Sequence, residues 1–177
     1  MLTGVILAGG PNEYIYGRHR SLLPHHGEPL IQFQIREMRK IVDEMIVVTN
    51  TPRDLLPFVP PDTRIITDFF QNKGPLGGLH AGISLARTDV VWVIESDNLA
   101  PSTRIAGRLI KNLLKLDVDG ALPVFNGVLK PFEGVYRTST KTCLTGLLQA
   151  GDTTTSTFLK SINTSSVVIQ PDMLSLK

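Results

Sequence analysis

The chain has 177 residues, of which 42% are hydrophobic and 19% are charged. This composition predicts a globular protein, and we expect a single domain over residues 1–177. The net charge of +2 is too small to indicate nucleic acid or an anionic membrane as a partner, and we expect neither. A single cysteine, Cys143, excludes an intrachain disulfide, and no apolar run is long enough to span a bilayer. We therefore expect a cytoplasmic protein.

Strand and helix signals alternate along the chain. Short apolar runs predict strands at residues 5–7, 45–49, 64–67, 90–94, 121–124, 132–136 and 166–169. Helical spacing of apolar residues and helix-start signals predict helices at 29–42, 52–58, 74–86, 102–116, 139–149 and 154–161. Residues 11–20 are expected to form an irregular polar loop. The alternation predicts an α/β fold with a mainly parallel sheet covered by helices on both faces.

The first strand ends abruptly at a glycine pair, in the stretch Val5-Ile6-Leu7-Ala8-Gly9-Gly10. A continuous apolar run is typical of a buried parallel strand. The glycines free the backbone to turn sharply and leave room for a ligand. We expect Leu7, Ala8, Gly9 and Gly10 to form the floor of a nucleotide or phosphate site. A strand followed by an ordinary flexible turn is the alternative.

Polar residues follow the other predicted parallel strands in the same way. Asn50, Asp68 and Asp97 each come just after such a strand, as does the pair Gly9-Gly10. The carboxyl ends of parallel strands lie at one edge of the sheet, where α/β folds bind their ligands. Asn and Asp are also ordinary turn and cap residues, but the convergence of all these positions favours a site at this edge.

Six segments, taken in order, resemble one known family. The chain resembles the molybdenum cofactor guanylyltransferases (the MobA-like nucleotidyltransferases) from residue 3 to about 160. The segments that carry this resemblance are Leu7-Ala8-Gly9-Gly10, Leu22-Leu23, Gly27-Glu28-Pro29-Leu30, Gly74-Pro75-Leu76-Gly77-Gly78, Ser96-Asp97-Asn98-Leu99, and Lys130-Pro131-Phe132 through Tyr136.

The resemblance implies a Rossmann-like fold and the transfer of GMP from GTP to molybdopterin with Mg²⁺. It assigns Asp97 as the Mg²⁺ ligand and catalytic residue, and Arg20 as a catalytic phosphate-binding residue. Guanine presents N1–H and N2–H₂ donors that suit the carboxylate of Asp68. Other cofactor-assembly proteins are further candidate partners. The nucleotide-binding residues implied are Leu7, Ala8, Gly9, Gly10, Arg20, Asn50, Asp68, Gly78 and Asp97.

The side chains of Glu95 and Ser102 bear on the assignment of Asp97 as the metal ligand. Mg²⁺ takes one or two carboxylates together with substrate phosphates, and Asp97 at the end of a central strand can supply one of them. Glu95 is expected to point to the other face of the strand and is therefore the weaker candidate. Ser102 can cap the helix that follows, which frees Asp97 from that role.

The loop after the glycine pair departs from the pattern of the family. Tyr14 stands in place of an Arg, Tyr16 in place of a Gly, and His19-Arg20 in place of an Asp-Lys pair. Arg20 keeps a cation at this place, but guanidinium and ammonium groups differ in shape and hydration. Leu99 likewise replaces a Pro. Two alternatives therefore stay open: a relative that uses CTP or a sugar phosphate, and a non-catalytic protein that binds a nucleotide or a partner.

Overall fold

The secondary structure alternates as the sequence predicts. We describe a computed structural model of residues 1–10 and 13–170. Its strands are β1 (Leu2–Leu7), β2 (Tyr14–Ile15), β3 (Arg18–His19), β4 (Pro24–His25), β5 (Glu28–Pro29), β6 (Glu44–Val48), β7 (Arg64–Ile66), β8 (Val90–Glu95), β9 (Gly120–Phe125), β10 (Val128–Leu129), β11 (Val135–Arg137) and β12 (Thr164–Ile169). Its α-helices are α1 (Leu30–Met38), α2 (Pro52–Leu55), α3 (Gly74–Leu85), α4 (Thr103–Leu116), α5 (Lys141–Gln149) and α6 (Thr155–Lys160).

An eight-stranded sheet forms the centre of the fold, in the order β10-β9-β11-β8-β1-β6-β7, with β12 paired to β9. The strands β8, β1, β6 and β7 are parallel. β11 lies antiparallel between β8 and β9, and β12 runs parallel to β9. The prediction of an α/β fold with a mainly parallel sheet is confirmed, with β10 and β11 as its antiparallel members.

Helices cover both faces of the sheet, which explains why the central strands are largely apolar. All six residues of β1 are buried. Ile6 packs into a core that includes α1 and α4, whereas Val5 and Leu7 pack into a second core with α3, α5 and α6. Successive residues of a strand face opposite sides, so both sides of β1 have to be hydrophobic. No helix in the described part of the chain is long and apolar enough to cross a membrane.

Helix α3 lies very close to β1 because it carries a glycine at the contact. A Cβ atom added at Gly82 would lie 2.6 Å from Cγ1 of Val5. This close approach brings the first turn of α3, which contains Gly77 and Gly78, to the carboxyl end of β1. The glycines of this helix thus set the distance between the helix and the sheet.

Two short hairpins, each with a two-residue turn, lie between β1 and α1. Strands β2 and β3 pair around Tyr16-Gly17, and β4 and β5 pair around His26-Gly27. Both residues of each turn have positive φ angles, as in the Asn126-Gly127 turn between β9 and β10. Such turns match the twist of a hairpin. The expectation of an irregular loop over 11–20 is therefore wrong for residues 14–19; Pro11 and Asn12 lie outside the described residues.

Several predicted elements have different bounds in the structure, and two of them show a physical reason. The helix predicted over 29–42 ends at Met38. Beyond it the chain turns back to the sheet, where the Asp43 N–H donates to the carbonyl of Leu2 at 2.9 Å. The strand predicted over 132–136 begins with a 3-10 turn, Pro131–Glu133, and only then continues as β11.

Candidate active site at the carboxyl edge of the sheet

A cavity of about 590 Å³ opens at the carboxyl ends of β1, β6 and β8. Its volume is in the range of small-molecule sites. The residues predicted from the sequence that line it are Leu7, Gly9, Gly10, Arg20, Asn50, Asp68, Gly78 and Asp97. Ala8 instead faces the hydrophobic core, and its N–H donates to the carbonyl of Val48 at 2.7 Å. The cavity is further lined by Glu13, Val48, Asn72, Gly74, Pro75, Ser96 and Glu95, the last of which was the weaker metal candidate.

One wall of the cavity is built from Asp68 and the first turn of α3. A Cβ added at Gly77 would lie 3.3 Å from Oδ2 of Asp68, and a Cβ at Gly78 would lie 3.7 Å from Oδ1. The same atom at Gly78 would lie 3.3 Å from Cδ2 of Leu7. Burial, together with the negative charge of Glu13, raises the pKa of Asp68 to about 6. The glycines thus leave space for a half-buried carboxyl group that is ionised at neutral pH.

The opposite wall carries the pair Arg20 and Asp97. Nη1 of Arg20 lies 3.5 Å from Oδ2 of Asp97, and the Asp97 side chain is 59% exposed. The buried Nε of Arg20 has no hydrogen-bond partner among the described residues. Ser102 Oγ accepts from the N–H of Ile105 at 3.3 Å, so Ser102 caps α4 as expected. Asp97 is therefore a loosely paired carboxylate that faces the cavity, beside a cation with a free donor.

Glu13 anchors the divergent loop, and the sequence analysis missed it. Its Oε1 accepts hydrogen bonds from Thr49 Oγ1 at 2.8 Å and Thr51 Oγ1 at 2.7 Å, and it pairs with His19 Nε2 at 2.8 Å. His19 Nδ1 accepts from the N–H of Ser21 at 3.1 Å. His19, which stands in place of the Asp of the family motif, thus ties the loop to the short turn that carries Arg20. No local pattern marks Glu13, because its partners lie in β3 and after β6.

The two tyrosines of the loop have separate positions. The hydroxyl of Tyr14 donates to the carboxylate of Asp54 at the start of α2. Tyr16 is fully exposed at the tip of the β2–β3 hairpin. Arg18 is also exposed, and it does not contribute to the lining of the cavity that the described residues form. Arg20 is therefore the cation that this loop brings to the cavity.

Three carboxyl groups gather beside the Arg20 wall. Oxygen atoms of Glu95, Asp97 and Glu133 lie within 4.8 Å of one another. Burial raises the pKa of Glu133 to about 7, although Asn98 and the N–H of Glu95 donate to it. Burial and then the charge of Asp97 also raise the pKa of Glu95. Burial and the neighbouring negative charges thus favour the neutral forms of Glu95 and Glu133.

The position of Glu95 corrects an expectation from the sequence. Glu95 lines the cavity and joins the carboxyl cluster with Asp97, so the view that it faces the other side of the strand is wrong. Side chains two residues apart in a strand point to the same side, and β8 ends at Glu95 before the chain turns. Glu133 was missed because it was predicted within a strand, whereas it lies in the 3-10 turn before β11.

The parallel sheet, the glycine turn after β1 and the cavity with its carboxylates and cation are typical of α/β enzymes that bind nucleotides. The chain matches the model of the MobA-like NTP transferase domain over residues 4–166 and belongs to that family of nucleotidyltransferases. It is 32% identical over 170 residues to a molybdenum cofactor guanylyltransferase of Yersinia pestis (strain Pestoides F), with 94% of this chain and 84% of the relative covered.

Solved structures share the fold. Molybdopterin-guanine dinucleotide biosynthesis protein A from Archaeoglobus fulgidus superposes with a TM-score of 0.76 at 18% identity, covering 95% of this chain and 83% of that one. The bifunctional IspDF from Campylobacter jejuni superposes with a TM-score of 0.74 at 16% identity, covering 98% of this chain and 51% of that one. The resemblance found in the sequence and the Rossmann-like fold that it implies are both confirmed.

Proposed function

We propose that the protein transfers GMP from GTP to molybdopterin in a Mg²⁺-dependent reaction, which forms molybdopterin guanine dinucleotide and pyrophosphate. The observation that carries this proposal is that one cavity holds Asp68 on one wall and the pair Arg20 and Asp97 on the other. The names of the curated relatives support the choice of substrates. The exposed, loosely paired Asp97 supports an active site that is ready to accept a charged ligand.

The Asp68 wall would bind the base. An ionised carboxylate accepts two hydrogen bonds side by side, and guanine offers N1–H and N2–H₂ in that arrangement. Cytosine has no N1–H, so the same carboxylate favours GTP over CTP. Leu7 and Gly78 approach each other closely beside Asp68, and Asn50 lies against Gly9 with a contact of 3.4 Å from its Nδ2 to a Cβ added there. These residues would enclose the nucleoside.

The donor set on the other wall fits a hard divalent cation. Mg²⁺ prefers oxygen ligands, and Glu95, Asp97 and Glu133 place carboxylate oxygens within 4.8 Å of one another. Asp97 would be the direct ligand because it is the most exposed of the three, and Glu95 lies next to it at the cavity surface. When bound, Mg²⁺ would neutralise part of the charge of the triphosphate.

The chain would promote the reaction through position and charge. A terminal phosphate oxygen of molybdopterin attacks the α-phosphorus of GTP, the bond to the bridging oxygen of the β-phosphate breaks, and pyrophosphate leaves. Arg20 would turn from Asp97 to the phosphates and stabilise the negative charge that develops on the leaving group. Residues that hold both substrates in line supply the rest of the acceleration, without a covalent intermediate.

Replacement of Asp97 tests the metal assignment. We expect Asp97→Ala to remain folded and to lose at least about 100-fold in turnover with GTP and molybdopterin, because charge stabilisation at the phosphates is lost. The matched control is Asp89→Ala, at the exposed position just before the other end of β8. Turnover of Asp97→Ala at the wild-type rate would rule out the assignment.

Calorimetric titration separates the proposed function from its alternatives. Wild-type protein is titrated with GTP and with CTP, each with and without Mg²⁺. Tight Mg²⁺-dependent binding of GTP supports the proposal, and turnover with molybdopterin then completes the test. A preference for CTP would indicate a relative that uses CTP or a sugar phosphate. Binding without turnover would indicate a non-catalytic protein.

A further inference from the structure

The turn that carries Asp97 is held by one buried glutamine from helix α1. Gln34 is fully buried, and its Nε2 lies 3.4 Å from the carbonyl oxygen of Glu95, 3.2 Å from that of Ser96 and 2.8 Å from that of Asn98. Asp97 is the residue between these contacts. One amide group thus gathers the backbone on both sides of the residue proposed to bind the metal.

Gln34 is costly at its position, which indicates that these contacts matter. It lies on the buried face of α1 together with Leu30, Ile31 and Met38, where apolar residues are the rule. Its Oε1 is buried and has no hydrogen-bond partner within the described residues. The opposite orientation of the amide would place Oε1 against three carbonyl oxygens, so Nε2 must face the turn. Oε1 of Gln34 therefore stays without a partner in the described part of the chain while Nε2 contacts the turn.

The other side of the same turn is also fixed. The N–H of Ser96 donates to the carbonyl of Leu7 at 3.0 Å, and the N–H of Asn98 donates to that of Glu95 at 3.1 Å. The Glu133 carboxylate accepts from the N–H of Glu95 at 3.3 Å and from the side chain of Asn98. The backbone around Asp97 is therefore fixed from two sides, whereas the Asp97 carboxylate itself is left exposed.

We propose that Gln34 is a positioning residue that fixes the turn of residues 95–98, so that the Asp97 carboxylate is preorganised for a divalent cation. This inference rests on the proposed function for the identity of the cation. A ligand that is held in place beforehand loses little freedom when it binds, and groups that orient metal ligands contribute strongly to affinity. The donors of Gln34 act on the backbone of the turn, not on the substrate.

The test compares two glutamines of the same helix. Gln34→Met removes the donor at nearly constant volume, and Gln32→Met is the matched control, since Gln32 Nε2 donates at 2.9 Å to the carbonyl of Phe58. Binding of Mn²⁺ is measured by electron paramagnetic resonance. We expect Gln34→Met to weaken the affinity by about 10-fold or more and Gln32→Met to leave it unchanged. GTP binding without metal should stay the same in both variants.

Two further measurements separate positioning from a general loss of structure. Raising the Mg²⁺ concentration should restore the turnover of Gln34→Met, because the carboxylate of Asp97 is still present. Hydrogen exchange at the amides of Ser96 and Asn98 should lose protection in Gln34→Met and not in Gln32→Met. If Gln34→Met does not fold, Gln34→Leu provides the same loss of donor with a strong helix former.

The outcomes for this inference and for the proposed function are distinct. Unchanged amide protection at Ser96 and Asn98, or unchanged Mn²⁺ affinity in Gln34→Met beside a wild type that binds Mn²⁺, overturns the role of Gln34. Absence of GTP turnover in wild type with normal Mn²⁺ binding overturns the proposed reaction and leaves the role of Gln34 standing. Equal losses of Mn²⁺ affinity in Gln34→Met and Gln32→Met would show a general effect of α1 and would also overturn the role of Gln34.

Discussion

At the scale of single residues, the carboxyl group of Asp68 links the chemistry of the site to pH. Burial and the neighbouring charge of Glu13 raise its pKa to about 6, so the ionised fraction changes in an accessible range. Only the ionised carboxylate can accept both hydrogen bonds that guanine offers. In the proposed function, the proton would therefore compete directly with the base at this position.

We expect GTP affinity, measured by calorimetry without metal, to be constant above pH 7 and to weaken as the pH is lowered through about 6. At pH 5 the affinity should be about tenfold lower, because most Asp68 carboxyls are then protonated and must lose a proton before the base binds. Asp68→Asn should bind GTP weakly and lack this pH dependence. A wild-type profile that stays flat down to pH 5 would contradict the role of Asp68.

Arg20 and His19 show how a departure from the family motif can still place a cation at the cavity. The pair replaces the Asp-Lys of the family motif, and the structure gives each member a separate position. His19 is buried against Glu13 and holds the loop, whereas Arg20 reaches the cavity beside Asp97. A cation is thus present at the wall that carries Asp97. This arrangement supports an active transferase over a protein that has lost its phosphate site.

At the scale of secondary-structure elements, the long apolar segments could be predicted well and the short connecting ones could not. The helix predicted over 74–86 is observed as α3, Gly74–Leu85, since its start signal and length are local properties. The early end of α1 depends on contacts between Asp43 and Leu2, 41 residues apart, which no window of sequence contains. The 3-10 turn around Glu133 similarly depends on a partner, Asn98, from a distant loop.

Helix glycines provide a prediction at this scale, because two of them have opposite surroundings. A Cβ at Gly82 of α3 would lie 2.6 Å from Val5 Cγ1, whereas outside its own stretch of helix no described atom lies within 4 Å of a Cβ at Gly107 of α4. We expect Gly82→Ala to lower the free energy of unfolding by about 1–3 kcal/mol through overpacking. Gly107→Ala should raise it by about 0.5–1 kcal/mol, since Ala favours helix.

Urea unfolding of both variants against wild type measures these changes. The two substitutions are chemically identical and both lie inside α-helices, so helix propensity cancels between them. The difference between the two changes in the free energy of unfolding therefore reports the contact between α3 and β1. A gain of stability in Gly82→Ala would show that α3 does not pack on the sheet as closely as described.

At the scale of the whole molecule, the sheet assembles the site from segments that are far apart in the chain. The glycine turn, Asn50, Asp68 and Asp97 follow four parallel strands whose order is β8-β1-β6-β7. The position of each of these residues at a strand end could be predicted, since it follows from local patterns. The presence of Glu13, Glu95 and Glu133 in or beside the same cavity could not, because strand order and loop docking are properties of the complete fold.

Because the proposed ligand would contact several segments at once, its binding should stabilise the fold as a unit. Trp92 of β8 is the only tryptophan and is buried, so its fluorescence reports unfolding. At a GTP concentration 100 times the dissociation constant, we expect stabilisation by about 2.7 kcal/mol in urea unfolding. At that same GTP concentration Asp68→Asn should show little of this stabilisation. An equal increase in Asp68→Asn would contradict the proposed position of the base.

The place of β1 between β6 and β8 has a consequence for synthesis on the ribosome. Leu7 pairs with Val48 on one side and with Glu95 on the other, so the two neighbours of β1 emerge at very different times. The part of the site that contains Asn50 and Asp68 can form around β1, β6 and β7 while β8 is still within the ribosome. Until β8 emerges, one edge of β1 stays unpaired and open to pairing with other nascent chains. Slow translation before residue 90 would therefore prolong the interval in which this chain is most prone to aggregate.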